Sequence, residues 1–280
     1  MKTIAEVLEV ARSNLASRAA CSPDKRKRRG RCALPEHELL AEIKAVIAEM
    51  PTYGYRRVHA MIRRAREAQG RPPVNVKRVY RVMKVHGLLL QRHTGAGTER
   101  RHDGKIAVDR SDTRWCSDGF EIPCDNGERV RIAFTLDCCD REALAWIATT
   151  GGINGADIRD LMVESVERRF GLVNKLPAPI EWLSDNGSPY TADQTRAFAR
   201  DIGLIPRTTP IESPQSNGMA EAFVKSIKRD YAAVNPRPDA NAVLHQLDRW
   251  FEHYNEDRPH KALRYRSPRQ FRRATLSTAP

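Results

Sequence analysis

The segment from Trp182 to Glu221 opens with Trp-Leu-Ser-Asp-Asn-Gly-Ser, residues 182–188, and closes with Ser-Pro-Gln-Ser-Asn-Gly-Met-Ala-Glu, residues 213–221. Asp185 follows a short apolar run and precedes Asn-Gly, a pattern typical of a strand that ends in a turn. Glu221 follows a loop rich in Pro, Ser, Asn and Gly and begins a helical pattern. A strand end and a helix start can meet, so these two carboxylates and a third acidic residue from a neighbouring strand would suit Mg²⁺.

The chain around this segment alternates between strand and helix patterns. Asp125-Asn126-Gly127 predicts a hairpin turn between the first two strands, so the first three strands form an antiparallel meander. Strands followed by alternating strands and helices predict an α/β domain with a mixed sheet. In chain order we expect strands at 115–122, 129–137 and 143–149, a helix at 155–170, a strand at 180–184, a helix at 193–202, a strand at 205–208, and helices starting at 217 and spanning 239–254.

Ahead of the strands the sequence is helical and basic. Residues 4–15 have helical apolar spacing, and residues 25–31 form a basic linker that we expect to contact DNA phosphates. Three short helical patterns follow between residues 38 and 87, the last with Asn75 as a plausible N-cap. A basic outer face on the last helix favours a helix-turn-helix module over a plain three-helix bundle.

Several basic side chains of this helical region are expected to face solvent. Those expected to contact DNA are Arg56 and Arg57 on the second helix and Lys77, Arg78, Arg81 and Lys84 on the third, and Arg63, Arg64 and Arg66 are also placed outside. The net charge of +13, from 48 Lys and Arg against 35 Asp and Glu, points to a polyanionic partner, with nucleic acid ahead of an anionic membrane.

Other compositional features narrow the function classes. No apolar run approaches the ~18 residues needed to span a bilayer. Glu6 and Glu9 stand where a signal peptide must be uncharged. The six cysteines show neither a Cys-x-x-Cys pair nor zinc-finger spacing, so we expect a reducing cytoplasm and no structural zinc.

The third carboxylate is chosen by position. Asp118 lies on the first predicted strand, and it would converge with Asp185 and Glu221 if the first and fourth strands are neighbours. Asp137, at the end of the second strand, is the main alternative. Lys228 lies two helical turns after Glu221 on the same helix face, where it could hold a DNA phosphate. Two Mg²⁺ ions about 3.5–4 Å apart would serve phosphodiester cleavage and joining.

Together these motifs resemble the DDE transposases of the retroviral-integrase superfamily. More narrowly, the chain is similar to the second-frame product (OrfB) of the IS-three family of insertion sequences, closest to its IS-two branch. The resemblance covers residues 35–273 and rests on the contexts of Asp118, Asp185, Glu221 and Lys228, on Tyr53-Gly54-Tyr55-Arg56-Arg57, and on Tyr254-Asn255, Arg258-Pro259-His260 and Ser267-Pro268. One departure is Asp140, where the family commonly has Ser before Arg141; it leaves the triad of Asp118, Asp185 and Glu221 intact but blurs the choice of third ligand among Asp118, Asp137 and Asp140.

The resemblance implies an RNase H-like core, with a mixed five-stranded sheet flanked by helices, behind an all-α helix-turn-helix domain. It implies that Asp118, Asp185 and Glu221 are catalytic and bind two Mg²⁺ ions, with Mn²⁺ as a substitute and no nucleotide cofactor. Water would nick the element's ends, and the freed 3′-hydroxyl would then attack another phosphodiester. Lys228, Arg229 and Asn217 are expected to contact DNA.

The implied partners are DNA, both terminal inverted repeats and target, and the upstream-frame product (OrfA), either separate or fused. We expect a homo-oligomer on DNA, without membrane contact, in the bacterial cytoplasm and nucleoid. The expected organisation is an N-terminal helix and basic linker at 1–34, the helix-turn-helix domain at 35–93, a linker at 94–111, and the catalytic core with its C-terminal helix at 112–275.

Two other functions compete with this interpretation. A tyrosine recombinase could use Tyr265 with Arg258 and His260, but these lie too close in sequence to form that class's dispersed basic constellation. The second alternative is a non-catalytic or regulatory DNA-binding product that acts only when fused to or complexed with an upstream-frame partner.

Overall fold

The computed structural model describes residues 36–91, 107–208 and 218–277, together with Val7, Ala11 and Ser13. The chain separates into two compact units, Met1–His37 and Glu38–Pro280. The helix predicted at 4–15, the basic linker at 25–31 and Asn217 fall mostly or wholly outside the described residues. All that follows concerns the second unit.

A single mixed sheet forms the centre of this unit. Its strands are β1 (Arg114–Pro123), β2 (Arg129–Asp137), β3 (Ala143–Thr149), β4 (Ile180–Ser184) and β5 (Leu204–Thr208). The order is β3-β2-β1-β4-β5; β2 pairs antiparallel with both β1 and β3, whereas β4 pairs parallel with both β1 and β5. The predicted RNase H-like sheet and the assumed adjacency of β1 and β4 are therefore confirmed.

The meander is produced by the predicted turn. Gly127 takes a φ of 91°, and its amide donates to the carbonyl of Cys124 at 3.1 Å. A positive φ is accessible to glycine without steric cost, which explains why Asn-Gly closes the hairpin.

Helices surround the sheet and continue to the C-terminus. They are α1 (His37–Glu49), α2 (Tyr55–Ala68), α3 (Val76–Val85), α4 (Gly155–Phe170), α5 (Ser188–Thr191), α6 (Asp193–Asp201), α7 (Gly218–Ile227), a π-helical turn (Lys228–Ala232), α8 (Ala240–Glu256), a 3₁₀ turn (Lys261–Leu263) and α9 (Pro268–Leu276). Over the described part of the chain, no helix combines the length and apolar composition needed to cross a bilayer.

The two faces of the sheet carry separate apolar layers. On one face, the ring of Phe134 lies 4.4 Å from that of Phe223 on α7, which in turn packs against Tyr254 of α8 at 4.8 Å. On the other face, α4 buries Ile158 and Leu161 in a second cluster. This burial fixes α7 over the sheet and thereby positions the first turn of α7, which carries Glu221.

Three arginines of α2 that were predicted to face solvent instead turn inward. Arg66 is 8% exposed, and its guanidinium donates to both oxygens of Glu42 at 2.9 and 3.1 Å. Arg64 donates to the carbonyl of Asp257 at 3.0 Å, and Nη1 of Arg57 lies 3.7 Å from Oδ2 of buried Asp230. A periodicity argument places arginine outside by default, but a guanidinium can be buried where carboxylates and carbonyls accept its protons.

Helix α9 was not among the predicted elements, which ended with the helix spanning 239–254. Ser267 and Gln270 form a capping box, and Pro268 occupies the first turn. Arg269 holds the helix in place by donating to Glu142 at 2.8 Å and to Glu252 at 2.8 Å. The helix thus depends on ion pairs with distant residues more than on an apolar stripe.

Candidate active site

The pairing of β1 with β4 brings two of the predicted site residues to the same level of the sheet. Cys116 pairs with Leu183 in parallel register, and two residues further along each strand come Asp118 and Asp185. Asp118 is half-buried within β1, and Asp185 is exposed directly after the end of β4. Each carboxylate is oriented by a nearby backbone amide, from Gly119 at 2.8 Å and from Gly187 at 3.1 Å.

Glu221 lies within electrostatic reach of this pair. Burial raises the pKa of Asp118 to about 6, opposed by the hydrogen bond from Gly119, and the charges of Asp185 and Glu221 raise it further. The packing agrees with this influence, since Asp118 pairs with Phe134, whose ring lies 4.4 Å from that of Phe223, two residues after Glu221 on α7. Glu221 also forms an ion pair with Lys225, Nζ to Oε2, at 3.2 Å.

The three carboxylates are neighbours without forming a closed metal cage. Across residues 36–91, 107–208 and 218–277, no three His, Cys, Asp or Glu side chains are arranged so that they could already hold a cation. The donor set nevertheless consists of oxygens only, which suits a hard cation such as Mg²⁺. Glycine at position 187 leaves room for the Asp185 carboxylate, since a Cβ there would stand 3.1 Å from its Oδ1.

Tyr190, on α5, is a site residue that sequence reasoning missed. Its hydroxyl lies 3.0 Å from that of Ser117 on β1. Burial raises the pKa of Tyr190, and the charges of Asp118 and Asp185 raise it too. A Cβ at position 187 would stand 3.1 Å from Oδ1 of Asp185 and 3.6 Å from the Tyr190 ring, so both groups flank Gly187. The only available signal was its position in the turn directly after Asp185.

Lys228 and Arg229, both predicted to contact DNA, have different surroundings. The Lys228 ammonium lies 5.8 Å from the ring centre of Phe120, which shares a face of β1 with Asp118, and Lys228 is exposed. Arg229 instead donates to both oxygens of buried Asp230, at 2.6 and 2.8 Å. Lys228 therefore lies on the site's side of the sheet, whereas Arg229 is engaged within the chain.

The basic residues predicted on α2 and α3 also divide into two groups. Arg56, Lys77, Arg81 and Lys84 are exposed, and Arg57 and Arg78 are half-buried. Asn75 caps α3 as predicted, since its side chain accepts from the amide of Lys77 at 2.8 Å. The exposed members give α3 the basic outer face expected of the last helix.

Asp137 and Asp140, the alternatives to Asp118, lie elsewhere. Asp137 is fully buried opposite Trp115, and its oxygens accept from the amides of Asp112, Cys139 and Asp140 at 2.7, 2.7 and 3.0 Å. Arg169 donates to Asp137 at 3.3 Å and to Asp140 at 2.6 Å. The oxygens of both residues are thus satisfied by a buried ion-pair cluster.

Three known domain families match the chain. An HTH-like domain matches residues 35–94, and two integrase core domain families match residues 108–214 and 203–268. The HTH-like match covers helices α1–α3. The two integrase core matches together cover the sheet and continue through α7 and α8 to the start of α9.

The chain is also similar to a bacterial transposase and, more weakly, to a solved viral intasome. Transposase InsD for insertion element IS2A/D/F/H/I/K of Escherichia coli is 56% identical over 238 residues, which cover 84% of this chain and 78% of InsD. The simian T-cell lymphotropic virus intasome is 16% identical over 78% of this chain and 71% of that chain, with a TM-score of 0.47. The chain belongs to the family of insertion-element transposases that includes InsD of IS2.

Proposed function

We propose that this chain catalyses divalent-metal-dependent cleavage of DNA at the ends of an insertion element and transfer of the freed strand to target DNA. The observation that carries the proposal is the parallel pairing of β1 with β4, which aligns Asp118 with Asp185 within electrostatic reach of Glu221. Three convergent carboxylates in one site are unfavourable unless a cation neutralises them. Such an arrangement is therefore suited to phosphoryl transfer.

Asp118, Asp185 and Glu221 would hold two Mg²⁺ ions, for which Mn²⁺ can substitute. The metal, when bound, supplies activation of the attacking oxygen and stabilisation of charge on the phosphate. The amides of Gly119 and Gly187 orient two of the carboxylates, and the exposed ammonium of Lys228 is positioned to contact a DNA phosphate. Water serves as nucleophile for nicking, and the DNA 3′-hydroxyl serves for joining.

DNA is held by the helical region ahead of the sheet. The exposed basic residues of α3, namely Lys77, Arg81 and Lys84, would face the duplex, with support from Arg56 and from half-buried Arg78. Arg57 and Arg229 both face Asp230, so each would contact DNA only by exchanging this carboxylate for a DNA phosphate. The DNA contact expected of Asn217 stays a prediction. The protein acts on terminal inverted repeats and target DNA in the bacterial nucleoid, as an oligomer with the upstream-frame product, OrfA.

The direct test is cleavage and joining of DNA that carries the element's terminal repeats, with and without a chelator. We expect chelation to abolish both steps, Mg²⁺ or Mn²⁺ to restore them, and Tyr265→Phe to retain them. Cleavage that survives chelation and disappears in Tyr265→Phe would favour a phosphotyrosine mechanism instead. A chain that binds these ends but never cleaves them, even with the upstream-frame product added, would be a regulatory product.

Gly187→Ala should lower strand cleavage about tenfold, since misplacing a catalytic group by a fraction of an ångström is costly. Gly187 has a φ of −59°, which alanine adopts without strain, so the effect would come from the new methyl group 3.1 Å from Oδ1 of Asp185. Initial cleavage rates at saturating metal measure it. Gly152→Ala is the matched control, because a Cβ there meets no atom within 4 Å. Equal rates for both variants would show that the orientation of Asp185 does not limit cleavage.

A further inference from the structure

A cavity of about 590 Å³ lies between α2, α3 and the loop after the 3₁₀ turn. We call it the tyrosine cavity, because the side chains of Tyr55, Tyr80 and Tyr265 line it. Its volume falls within the roughly 300–1,000 Å³ range of small-molecule sites. It is lined by none of the carboxylates proposed for catalysis, so it is a separate feature of the molecule.

The polar side chains of the cavity are strongly biased towards positive charge. Arg56, Arg63, Lys77 and Arg264 line it, and none of its described lining residues is acidic. Of these cations, Arg63 forms an ion pair with Glu67, Nε to Oε1, at 3.4 Å on the exposed surface of α2. Such exposed pairs contribute little free energy, so the cavity retains an attraction for anions.

The aromatic rings are held in place by one another and by Arg56. The rings of Tyr55 and Tyr80 pack edge to face with centres 5.1 Å apart. Arg56 donates to the Tyr55 hydroxyl at 3.0 Å, and its guanidinium carbon lies 5.7 Å from the centre of the Tyr55 ring. All three tyrosines are half-buried, so part of each ring is accessible from the cavity. The rings are therefore preorganised and can still be contacted by a ligand.

The loop that carries Tyr265 is backbone-strained. Arg264 and Tyr265 have φ values of 55° and 64°, which non-glycine residues rarely adopt, least of all in succession. A bridge pins the loop, with the amide of His260 donating to Arg266 at 3.0 Å and the amide of Tyr265 donating to His260 at 2.8 Å. Strained conformations are maintained where the surrounding structure fixes them, and here the result is a tyrosine and an arginine directed at one cavity.

We propose that the tyrosine cavity binds one unpaired nucleotide of a DNA strand, with its base against the tyrosine rings and its phosphate near the basic side chains. Every base has a π-face that stacks on aromatic rings irrespective of sequence, and cations neutralise the adjoining phosphate. A base within an intact duplex is already stacked on both sides and offers no free face. The cavity therefore selects unpaired over paired DNA. This proposal rests on the proposed function only in that the chain acts on DNA.

The test measures binding of a short oligothymidylate that contains 5-iodouracil, whose photolysis crosslinks it to adjacent aromatic rings. The protein is Asp185→Asn in the presence of a chelator, so a failure of the catalytic proposal would not alter the result. Crosslinks mapped by mass spectrometry are expected on Tyr55, Tyr80 or Tyr265. Crosslinks confined to other residues would overturn the proposal.

Affinity provides a second readout. The double variant Tyr80→Leu with Tyr265→Asn is expected to bind oligothymidylate about tenfold more weakly, whereas binding of a fully paired duplex changes less than about twofold. Leucine retains apolar contact with Tyr55, and asparagine tolerates the left-handed backbone at position 265. Phe271→Leu on α9, which removes a half-buried ring outside the cavity, is the control and should bind both DNAs like wild type.

Thermal unfolding checks that the double variant is folded, and each remaining result is decisive. Unchanged single-strand affinity in a folded double variant would overturn the proposal. Loss of binding to the upstream-frame product without loss of DNA binding would reassign the cavity to a protein partner. Thymidine monophosphate that competes as well as oligothymidylate at equal nucleotide concentration would overturn the assignment to a DNA strand.

Discussion

Asp118→Asn is expected to lower strand cleavage at least about 1,000-fold and to leave the free energy of unfolding unchanged or higher. Asparagine retains the shape of the side chain but removes the charge that a metal ion requires. The same charge disfavours the metal-free fold, because burial and the charges of Asp185 and Glu221 all act against ionised Asp118. Loss of activity without loss of stability is the signature of a functional carboxylate, whereas a structural one would lose both.

The measurement combines cleavage rates, DNA affinity and denaturant unfolding of the same preparations. Asp185→Asn and Glu221→Gln should cleave DNA as slowly as Asp118→Asn. A variant that combines two of these substitutions should be no slower than either alone, because the rate effects of residues that act as a unit are not additive. DNA affinity without metal should stay within about twofold of wild type, because the phosphate contacts lie on basic residues.

Asp137→Asn is the comparison that decides the third ligand. Asp137 accepts three backbone amides and an arginine within a buried cluster, so we expect the folded variant to cleave DNA at the wild-type rate. If folded Asp137→Asn were inactive while Asp118→Asn cleaved normally, the roles of these two residues would have to be exchanged.

Local sequence patterns were enough to predict the elements that carry the site. The turn at Asn126-Gly127, the cap at Asn75 and the strand ending before Asp185 each depend on neighbours within a few residues, and the structure contains all three. The adjacency of β1 and β4, with Cys116 in parallel register with Leu183, joins segments more than 60 residues apart, and no local sequence pattern predicts it.

Buried charge pairing explains most of what the sequence did not reveal. Asp230, in the π-helical turn, accepts from Thr52 at 2.7 Å and lies 3.7 Å from Arg57 and 3.0 Å from Arg258. These partners are separated by most of the chain, and no periodicity links them. The same limitation applies to Tyr190, whose position depends on its contact with Ser117 of β1, 73 residues earlier.

Arg169→Met is expected to lower the free energy of unfolding by about 3–5 kcal/mol, because removing one partner of a buried ion pair leaves the other charge uncompensated. The guanidinium is 1% exposed and bonds Asp112 at 2.6 Å, Asp140 at 2.6 Å and Glu142 at 2.5 Å, with Asp137 at 3.3 Å. Methionine fills similar space but leaves Asp137 and Asp140 buried without a cation. Denaturant unfolding at neutral pH measures the loss.

The dependence of this loss on pH separates charge from packing. Burial and Asp140 raise the pKa of Asp137 to about 7, whereas Arg169 lowers it, so the pKa should rise further in the variant. A carboxyl whose folded pKa exceeds its unfolded value, about 4, stabilises the fold when protonated, and that stability is lost as pH rises through the folded pKa. The loss in Arg169→Met should therefore be smaller at about pH 5 than at about pH 8.

Arg168→Met is the matched control, since Arg168 is adjacent on α4 but is 41% exposed and pairs with Glu164 four residues earlier. Its guanidinium also lies 4.4 Å from the ring centre of Trp146, so we expect a loss of about 1 kcal/mol or less with little dependence on pH. A loss in Arg169→Met that is equally small, or that is constant across the pH range, would show that the buried carboxyls do not require this arginine. In that case Asp137, at the end of β2, would be held by its backbone hydrogen bonds alone.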